Sequence, residues 1–127
     1  MDITDVKALP AVARATFDCA RGHGLAGEVR LHGAGEHWVV VVDSFLSATI
    51  RVGTGDATEL RCILEAGDVA ALYRADLELT PFFCPKCAAV YCQACWRTYN
   101  VFDEEMPGWF EETRGTCPDG HERMLMD

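Results

Sequence analysis

Four cysteines lie within a short stretch of the chain, at Cys84, Cys87, Cys92 and Cys95, with the spacing C-x2-C-x4-C-x2-C. The first pair reads CPKC, with a proline directly after the first thiol. Two thiolates separated by two residues can face one metal ion, while backbone amides of the turn donate hydrogen bonds to sulfur. A hydrophobic core requires no such spacing, so the pattern predicts metal binding.

A third candidate pair, Cys117 and His121, lies in the segment TCPDGHERM with the spacing C-x3-H. Zinc takes four sulfur or nitrogen ligands in a tetrahedron, so one ion most simply uses two of the three pairs. If the residues between Cys87 and Cys92 are extended at about 3.3 Å each, these two cysteines are too far apart to share an ion. The sequence therefore favours one zinc site, arranged as in a zinc ribbon and formed by Cys84, Cys87, Cys117 and His121.

Two other assignments stay open. The runner-up is a site formed by Cys92, Cys95, Cys117 and His121. The third is a pair of metal ions, with upstream residues completing the second site. Cys19 and His23 would suit that role because their spacing corresponds to one helical turn. Cysteines on helices are more often small buried hydrophobes, however, and this favours a core position for Cys19.

Net charge and composition exclude several classes of function. The chain has 127 residues, with 20 acidic against 11 basic side chains and a formal net charge of −9. Phosphate polymers and anionic membranes would be repelled, so neither nucleic acid nor a membrane is a predicted partner. The longest strongly apolar run, 38–42, is too short to span a bilayer, and residues 1–10 lack a signal-peptide core. We therefore expect a cytoplasmic protein, in which cysteine pairs bind metal more often than they form disulfides.

The remaining sequence predicts an α+β fold, with a small antiparallel sheet, flanking helices and a C-terminal module resembling a zinc ribbon or treble clef. Apolar residues at three- and four-residue steps predict a first helix over 4–20. Alternating and β-branched runs predict three strands, at 28–32, 37–43 and 47–53. Two helices follow, one from Glu59 to Ala66 with Cys62 in its core stripe, and one after the N-cap Asp68. A change in composition after Thr80 divides the chain into an α+β unit, 1–80, and a zinc module, 81–127, packed directly against it.

No catalytic motif accompanies the cysteines. H-E-x-x-H, G-x-S-x-G and glycine-rich phosphate loops are missing from the sequence, and the candidate ligands outnumber those of an open catalytic zinc. This favours a non-enzymatic protein, although CPKC could also cycle between dithiol and disulfide. The acidic segment VFDEEMPGWFEE, 101–112, could be a docking surface with apolar anchors. The favoured interpretation is a loop whose aromatic side chains pack over the zinc.

The segment CPKCAAVYCQACWRTY resembles the end of in-between-RING domains, and it is similar to B-box and AN1-type fingers, which share an aromatic residue before the third cysteine, here Tyr91. In such families alternate ligand pairs serve different zinc ions, and the modules bind proteins, often in ubiquitin pathways. The wider pattern and the alanine-, glycine- and arginine-rich composition resemble small uncharacterised actinobacterial proteins. These resemblances imply a bacterial, zinc-stabilised module for protein–protein interaction or regulation. The alternatives are a redox- or metal-responsive regulator and a ubiquitin-ligase-like adaptor.

Overall fold

The computed structural model describes residues 10–33, 36–46 and 48–127. Within these ranges the chain is mainly antiparallel β-sheet, and the helices are short. The first sheet has the strand order β1-β2-β3-β4. Its strands are β1 (Ala11–Asp18), β2 (Leu25–His32), β3 (His37–Asp43) and β4 (Thr49–Thr54). The predicted α+β class, with helices flanking a small sheet, is therefore wrong.

The main error concerns β1, which the sequence analysis assigned to a helix over 4–20. Residues 4–9 lie outside the described part of the chain, but Ala11–Asp18 is a strand paired antiparallel with β2. Its buried side chains, Ala13, Ala15 and Phe17, alternate with exposed ones. This period of two marks a strand with one face on the core. Ala13 and Phe17 fit both this alternation and the three- and four-residue steps on which the helix was predicted. Hydrogen bonding to β2 selects the strand.

The other elements of the first part agree with the sequence analysis more closely. Strands β2, β3 and β4 overlap the three predicted ones, and helices α1 (Thr58–Ala66) and α2 (Val69–Ala75) follow them. The side chain of Asp68 accepts a hydrogen bond from the amide of Ala71, which confirms its predicted role as the N-cap of α2. Cys62, however, is exposed on α1 and does not belong to the core.

The rest of the chain forms small sheets, and it does not have the predicted zinc-ribbon or treble-clef layout. A two-stranded sheet pairs β5 (Phe83–Cys84) with β6 (Ala89–Val90). A three-stranded sheet has the order β7-β8-β9. Its strands are β7 (Arg97–Phe102), β8 (Phe110–Thr116) and β9 (Glu122–Met126). The division of the chain into 1–80 and 81–127 stays a prediction.

One hydrophobic cluster joins the first sheet, the helices and the segment that precedes the cysteines. Val29, Val40 and Leu72 are each fully buried there, together with Phe82. Gly27 permits this packing, because a Cβ at that position would lie 2.4 Å from the Phe82 ring. The first sheet therefore fixes the position of Phe82, two residues before Cys84.

A second, smaller cluster contains cysteines and the aromatic residues beside them. Cys84, Tyr91, Trp96, Cys117 and Leu125 are all buried in it. The indole N–H of Trp96 donates to the carbonyl oxygen of Tyr91 at 3.0 Å, so the ring is fixed in orientation. This cluster includes two of the candidate metal ligands described below, Cys84 and Cys117, and Cys87 and Cys95 pack against it.

Among the helices of the described residues, none has the length and apolarity needed to cross a membrane.

Candidate metal centres

Four residues of the favoured assignment come together in space and are named site 2 here: Cys84, Cys87, Cys117 and His121. Their ligand atoms all lie within 4.8 Å of one another. The sulfurs of Cys87 and Cys117 are 3.8 Å apart, and Nδ1 of His121 lies 3.6 Å from Cys84, 3.2 Å from Cys87 and 3.4 Å from Cys117. Cys84 and Cys117 are buried, so the site is partly shielded from water.

A separate group, site 1, contains Cys19, His23, Cys92 and Cys95. Sγ of Cys19 lies 3.7 Å from that of Cys95 and 3.9 Å from Nδ1 of His23. Nδ1 of His23 is also 3.4 Å from the sulfurs of both Cys92 and Cys95. Cys92 and Cys95 therefore lie beside the upstream pair, not beside Cys117 and His121 as in the runner-up assignment. Ligation by any of the six residues predicted in the C-terminal part stays a prediction.

Site 1 and site 2 are built from the same local motif, Cys-x-x-Gly-His. CARGH occupies 19–23, between β1 and β2, and CPDGH occupies 117–121, between β8 and β9. In each loop the glycine has a positive φ, 79° at Gly22 and 88° at Gly120, and its amide donates to the carbonyl of the cysteine. A residue without Cβ adopts this conformation at little cost. The same turn thus places a thiol and an imidazole on one side of two different hairpins.

Each Cys-x-x-Gly-His loop is completed by a Cys-x-x-Cys pair. Cys84 is the last residue of β5 and Cys87 lies on the turn between β5 and β6, where the amide of Cys87 donates to the Cys84 sulfur at 3.4 Å. Cys92 is the N-cap of a short 3-10 helix after β6, Gln93–Cys95, and Cys95 is its last residue. In chain order, the first and third pairs form site 1, and the second and fourth form site 2. The ligand pairs of the two groups therefore alternate along the chain.

The upstream pair was the weakest of the three assignments because residues 4–20 resembled a helix. On a helix, Cys19 would be a core residue and the glycines after it a simple stop signal. The repetition of C-x-x-G-H at 19–23 and 117–121 is the signal that could have identified the pair from the sequence.

Backbone amides favour the thiolate at the first cysteine of each Cys-x-x-Gly-His loop. Burial raises the pKa of Cys19, but hydrogen bonds from the backbone of Cys92, Arg21 and His23 lower it more, to about 6. The pKa of Cys117 is likewise lowered, since amides of His121 and Asp119 outweigh burial. An anionic sulfur in each site would attract a cation.

The pKa of the second cysteine of each Cys-x-x-Cys pair is shifted in the opposite direction. Burial and the neighbouring Cys19 thiol raise the pKa of Cys95 to about 11. The Tyr91 hydroxyl lowers the pKa of Cys87, but burial and the nearby Asp119 carboxylate raise it to about 12. Binding of a metal ion would have to displace protons from these two thiols.

The β7–β8 hairpin connects Cys95 of site 1 with Cys117 of site 2 along the chain. β7 begins two residues after Cys95 of site 1, and β8 ends one residue before Cys117 of site 2. Arg97 and Thr116, the first and last residues of the hairpin, pair with each other. A cleft of about 570 Å³ lies beside this base, lined by His23 and Cys95 of site 1 and by Cys117 of site 2. The base of the hairpin is thus placed by residues of both sites.

The tip of the hairpin does not pack over the cysteines, contrary to the favoured sequence interpretation of 101–112. Phe102, Met106, Trp109 and Phe110 are all exposed to solvent. The aromatic side chains buried in one cluster with Cys84 and Cys117 are instead Tyr91 and Trp96.

Comparisons with known proteins give a family and no further relatives. No curated protein and no solved structure matches the chain, so neither the actinobacterial nor the zinc-finger resemblance gains support from them. A family model described as a domain of unknown function, DUF8328, matches residues 10–127 and therefore covers both candidate metal sites. The chain belongs to the DUF8328 family.

Proposed function

We propose that this protein is a non-catalytic module in which two zinc ions support a surface that binds another protein. The observation that carries the proposal is the placement of the β7–β8 hairpin. Its base is flanked by Cys95 of site 1 and Cys117 of site 2, whereas its tip exposes apolar side chains. Metal in both sites would hold the base and leave the tip available.

The choice of zinc follows from the ligand set and its geometry. Thiolate and imidazole suit zinc, whereas calcium and magnesium prefer oxygen. A tetrahedron with Zn–S bonds of about 2.3 Å has sulfur–sulfur edges of about 3.8 Å and sulfur–nitrogen edges of about 3.6 Å. One sulfur pair in each site, at 3.7 and 3.8 Å, and the sulfur–nitrogen pairs between 3.2 and 3.9 Å are close to these edges, and all ligand atoms of a site lie within 4.8 Å of one another. Both sites can therefore accept zinc with small side-chain adjustments.

A structural role is favoured over a catalytic one because each site offers four protein ligands. A catalytic zinc keeps one position for water or substrate. Three thiolates also give the zinc centre a net negative charge, which weakens the metal as a Lewis acid. We therefore propose that the ions stabilise the fold and carry out no reaction.

The interleaved ligand pairs would connect distant parts of the chain. Site 1 would join the β1–β2 hairpin to residues 92–95, and site 2 would join the β5–β6 turn to the β8–β9 hairpin. Both ions would reduce the conformational freedom of the β7–β8 hairpin before any partner arrives. Such preorganisation raises affinity because less entropy is lost on binding.

The test is metal quantification on purified protein, combined with amide hydrogen exchange of residues 97–116. We expect two equivalents of zinc, and exchange in the hairpin that becomes faster when the zinc is removed. The proposal would be overturned if the purified protein contained no metal and the amides of residues 97–116 were still protected from exchange. Mild peroxide should leave the zinc bound; release by peroxide and recovery with a reductant would instead support the redox-responsive regulator.

A further inference from the structure

The tip of the β7–β8 hairpin carries four large apolar side chains that remain open to solvent. Their exposed fractions are 50% for Phe102, 49% for Met106, 64% for Trp109 and 45% for Phe110. Phe102 and Phe110 are direct cross-strand partners, and Trp109 is bonded through its amide to the Met106 carbonyl at 3.1 Å. Aromatic residues and methionine are enriched in the cores of protein interfaces, and clustered exposure of this kind marks a binding surface.

Local hydrogen bonds hold the tip in a defined conformation. The carboxylate of Asp103 accepts from the amides of Glu105 at 2.8 Å and Met106 at 3.3 Å. The amide of Asp103 donates to the Trp109 carbonyl at 2.9 Å, which closes the loop. The apolar side chains therefore project from a built turn, so a partner would meet a preformed surface.

The charged residues of the segment 102–112, which contains these side chains, are all acidic. Five carboxylates lie between residues 103 and 112, and no lysine or arginine lies between Arg97 and Arg114. Asp103 is engaged by backbone amides, and Glu112 accepts a hydrogen bond from Arg114 at 3.0 Å. The three remaining carboxylates are exposed and form no ion pair among the described residues: Glu104, Glu105 and Glu111.

This charge selects among the occupants that an apolar surface could accept. Nucleic acids and anionic membranes would be repelled at the tip. A second copy of the chain carries the same local charge and a formal net charge of −9, so self-association through this surface would be opposed. A cationic partner would be attracted before contact and would neutralise the free carboxylates on binding.

We propose that the hairpin tip binds a cationic amphipathic segment of another protein. Lysine or arginine side chains of the segment face Glu104, Glu105 and Glu111, and its apolar side packs on Trp109 and Phe110. Arginine or lysine beside the two aromatic rings adds cation–π attraction. This inference rests on the proposed function, because it requires that the tip be a protein-binding surface.

The test uses full-length zinc-loaded protein and three fluorescein-labelled peptides of about 14 residues, close to four helical turns. The first has lysine on one helical face and leucine on the other, the second has glutamate in place of lysine, and the third has serine in place of leucine. Fluorescence anisotropy should show binding of the lysine–leucine peptide, at least about tenfold weaker binding of the serine peptide, and none of the glutamate peptide. Raising the salt concentration from about 50 to 300 mM should weaken binding because it screens the charges.

Two tip variants locate the surface. Trp109→Ala/Phe110→Ala and Glu104→Gln/Glu105→Gln/Glu111→Gln should each weaken binding of the lysine–leucine peptide by about tenfold or more. The matched controls alter exposed residues elsewhere: Leu25→Ala/Val52→Ala, at 60% and 67% exposure, and Glu36→Gln/Glu59→Gln/Glu65→Gln. Controls should change the affinity by less than about twofold, and every variant should keep its zinc, because none of the altered residues is a candidate ligand.

The outcomes separate this inference from the function on which it rests. Zinc-loaded protein with a protected hairpin that binds no lysine–leucine peptide, or binds the glutamate peptide equally well, overturns the cationic partner and leaves the zinc-supported surface standing. Equal losses in tip and control variants also overturn it. A concentration-dependent dimer abolished by Trp109→Ala would assign the surface to a second copy of the chain. Protein without zinc and without hairpin protection would overturn the proposed function itself.

Discussion

Arg21 and Asp119 form an ion pair, with Nη2 of Arg21 3.3 Å from Oδ1 of Asp119. Each residue occupies the position two after the cysteine in its Cys-x-x-Gly-His loop, so corresponding positions of the two loops are joined. Asp119 also accepts a hydrogen bond from Sγ of Cys87 at 3.2 Å, and the Arg21 guanidinium lies 6.0 Å from the centre of the Tyr91 ring. The pair therefore marks the place where the loop of site 1 meets the loop of site 2.

We expect the Arg21–Asp119 pair to contribute little to global stability. Both side chains are about half exposed, at 50% and 52%, so water and salt screen their attraction. A double-mutant cycle of Arg21→Ala and Asp119→Ala, measured by urea unfolding, should give a coupling free energy below about 1 kcal/mol. A coupling above about 2 kcal/mol would show that the contact between the loops is a major source of stability.

Replacement of ligand pairs should separate the two metal sites. Cys84→Ser/Cys87→Ser should lose the zinc of site 2, and Cys92→Ser/Cys95→Ser the zinc of site 1, so that each variant keeps about one equivalent. The remaining ion should pass more readily to a chelator than in the unaltered protein, because the pairs are interleaved and each ion restrains the segments of the other. Metal analysis and chelator competition measure both quantities.

The matched control for these replacements is Cys62→Ser. This thiol is exposed on α1 and lies outside both groups, so two equivalents of zinc should remain. If the unaltered protein held one equivalent of zinc, which Cys92→Ser/Cys95→Ser kept and Cys84→Ser/Cys87→Ser lost, site 1 would not be a metal site.

Acid should release the metal and destabilise the fold. Protons compete with zinc for thiolate and imidazole, so affinity falls with decreasing pH. At Cys19 the pKa in the folded chain, about 6, lies below the ordinary value of 9.0. The stability contributed by this thiolate is therefore present above the ordinary value and is lost as the pH falls through 6. Melting temperature and free zinc, followed from about pH 8 to pH 5, should fall and rise respectively; a flat melting temperature over this range would contradict the assignment.

Sequence patterns identified the strands in which the spacing of apolar residues fits a β-strand and does not fit a helix. The β-branched run of β3 and the alternating residues of β2 and β4 do not have helical spacing. The predicted strands therefore overlap the observed ones. β1 has alanines and a single phenylalanine, whose spacing fits a helix and a strand equally. Its state is set by hydrogen bonds to β2 and by contact with Phe82, whose ring centre lies 5.3 Å from that of Phe17, and neither partner is local in sequence.

The difference between local patterns and contacts distant in sequence also explains how much of the candidate site could be predicted. CPKC and CPDGH share a proline after the cysteine and could be matched by local chemistry alone, and the structure brings them together. Whether the candidate ligands form one metal site or two depended on Cys19 and His23, which are about 70 residues from Cys92 in the chain. Their proximity follows from the position of the β1–β2 turn beside residues 92–95, which no local pattern specifies.

Arg123 should be among the residues most sensitive to substitution outside the ligands. Its guanidinium is buried and donates to the carbonyl oxygens of Leu77, Thr80 and Phe83 at 2.9, 2.7 and 2.7 Å, and to that of Met124 at 2.8 Å. Burial lowers its pKa to about 10, which still leaves it charged at neutral pH. The Tyr73 ring, 5.1 Å from the guanidinium carbon, covers one side. One side chain of β9 thus satisfies backbone groups on both sides of Pro81.

Arg123→Ala would remove all four hydrogen bonds from a buried region, although the Thr80 and Leu77 carbonyls would still accept from the amides of Phe83 and Thr80. We therefore expect a loss of about 3 kcal/mol in the free energy of unfolding. Arg123→Lys should recover only part of it, because an ammonium cannot reach several carbonyls in the geometry of a guanidinium fork. Urea unfolding of the zinc-loaded variants measures both losses, with Arg61→Ala as the control, since Arg61 is exposed on α1 and pairs only with Glu65 among the described residues. If Arg123→Lys were as stable as the unaltered chain, a single positive charge would suffice at this position, and the shared carbonyl contacts would not be what stabilises it.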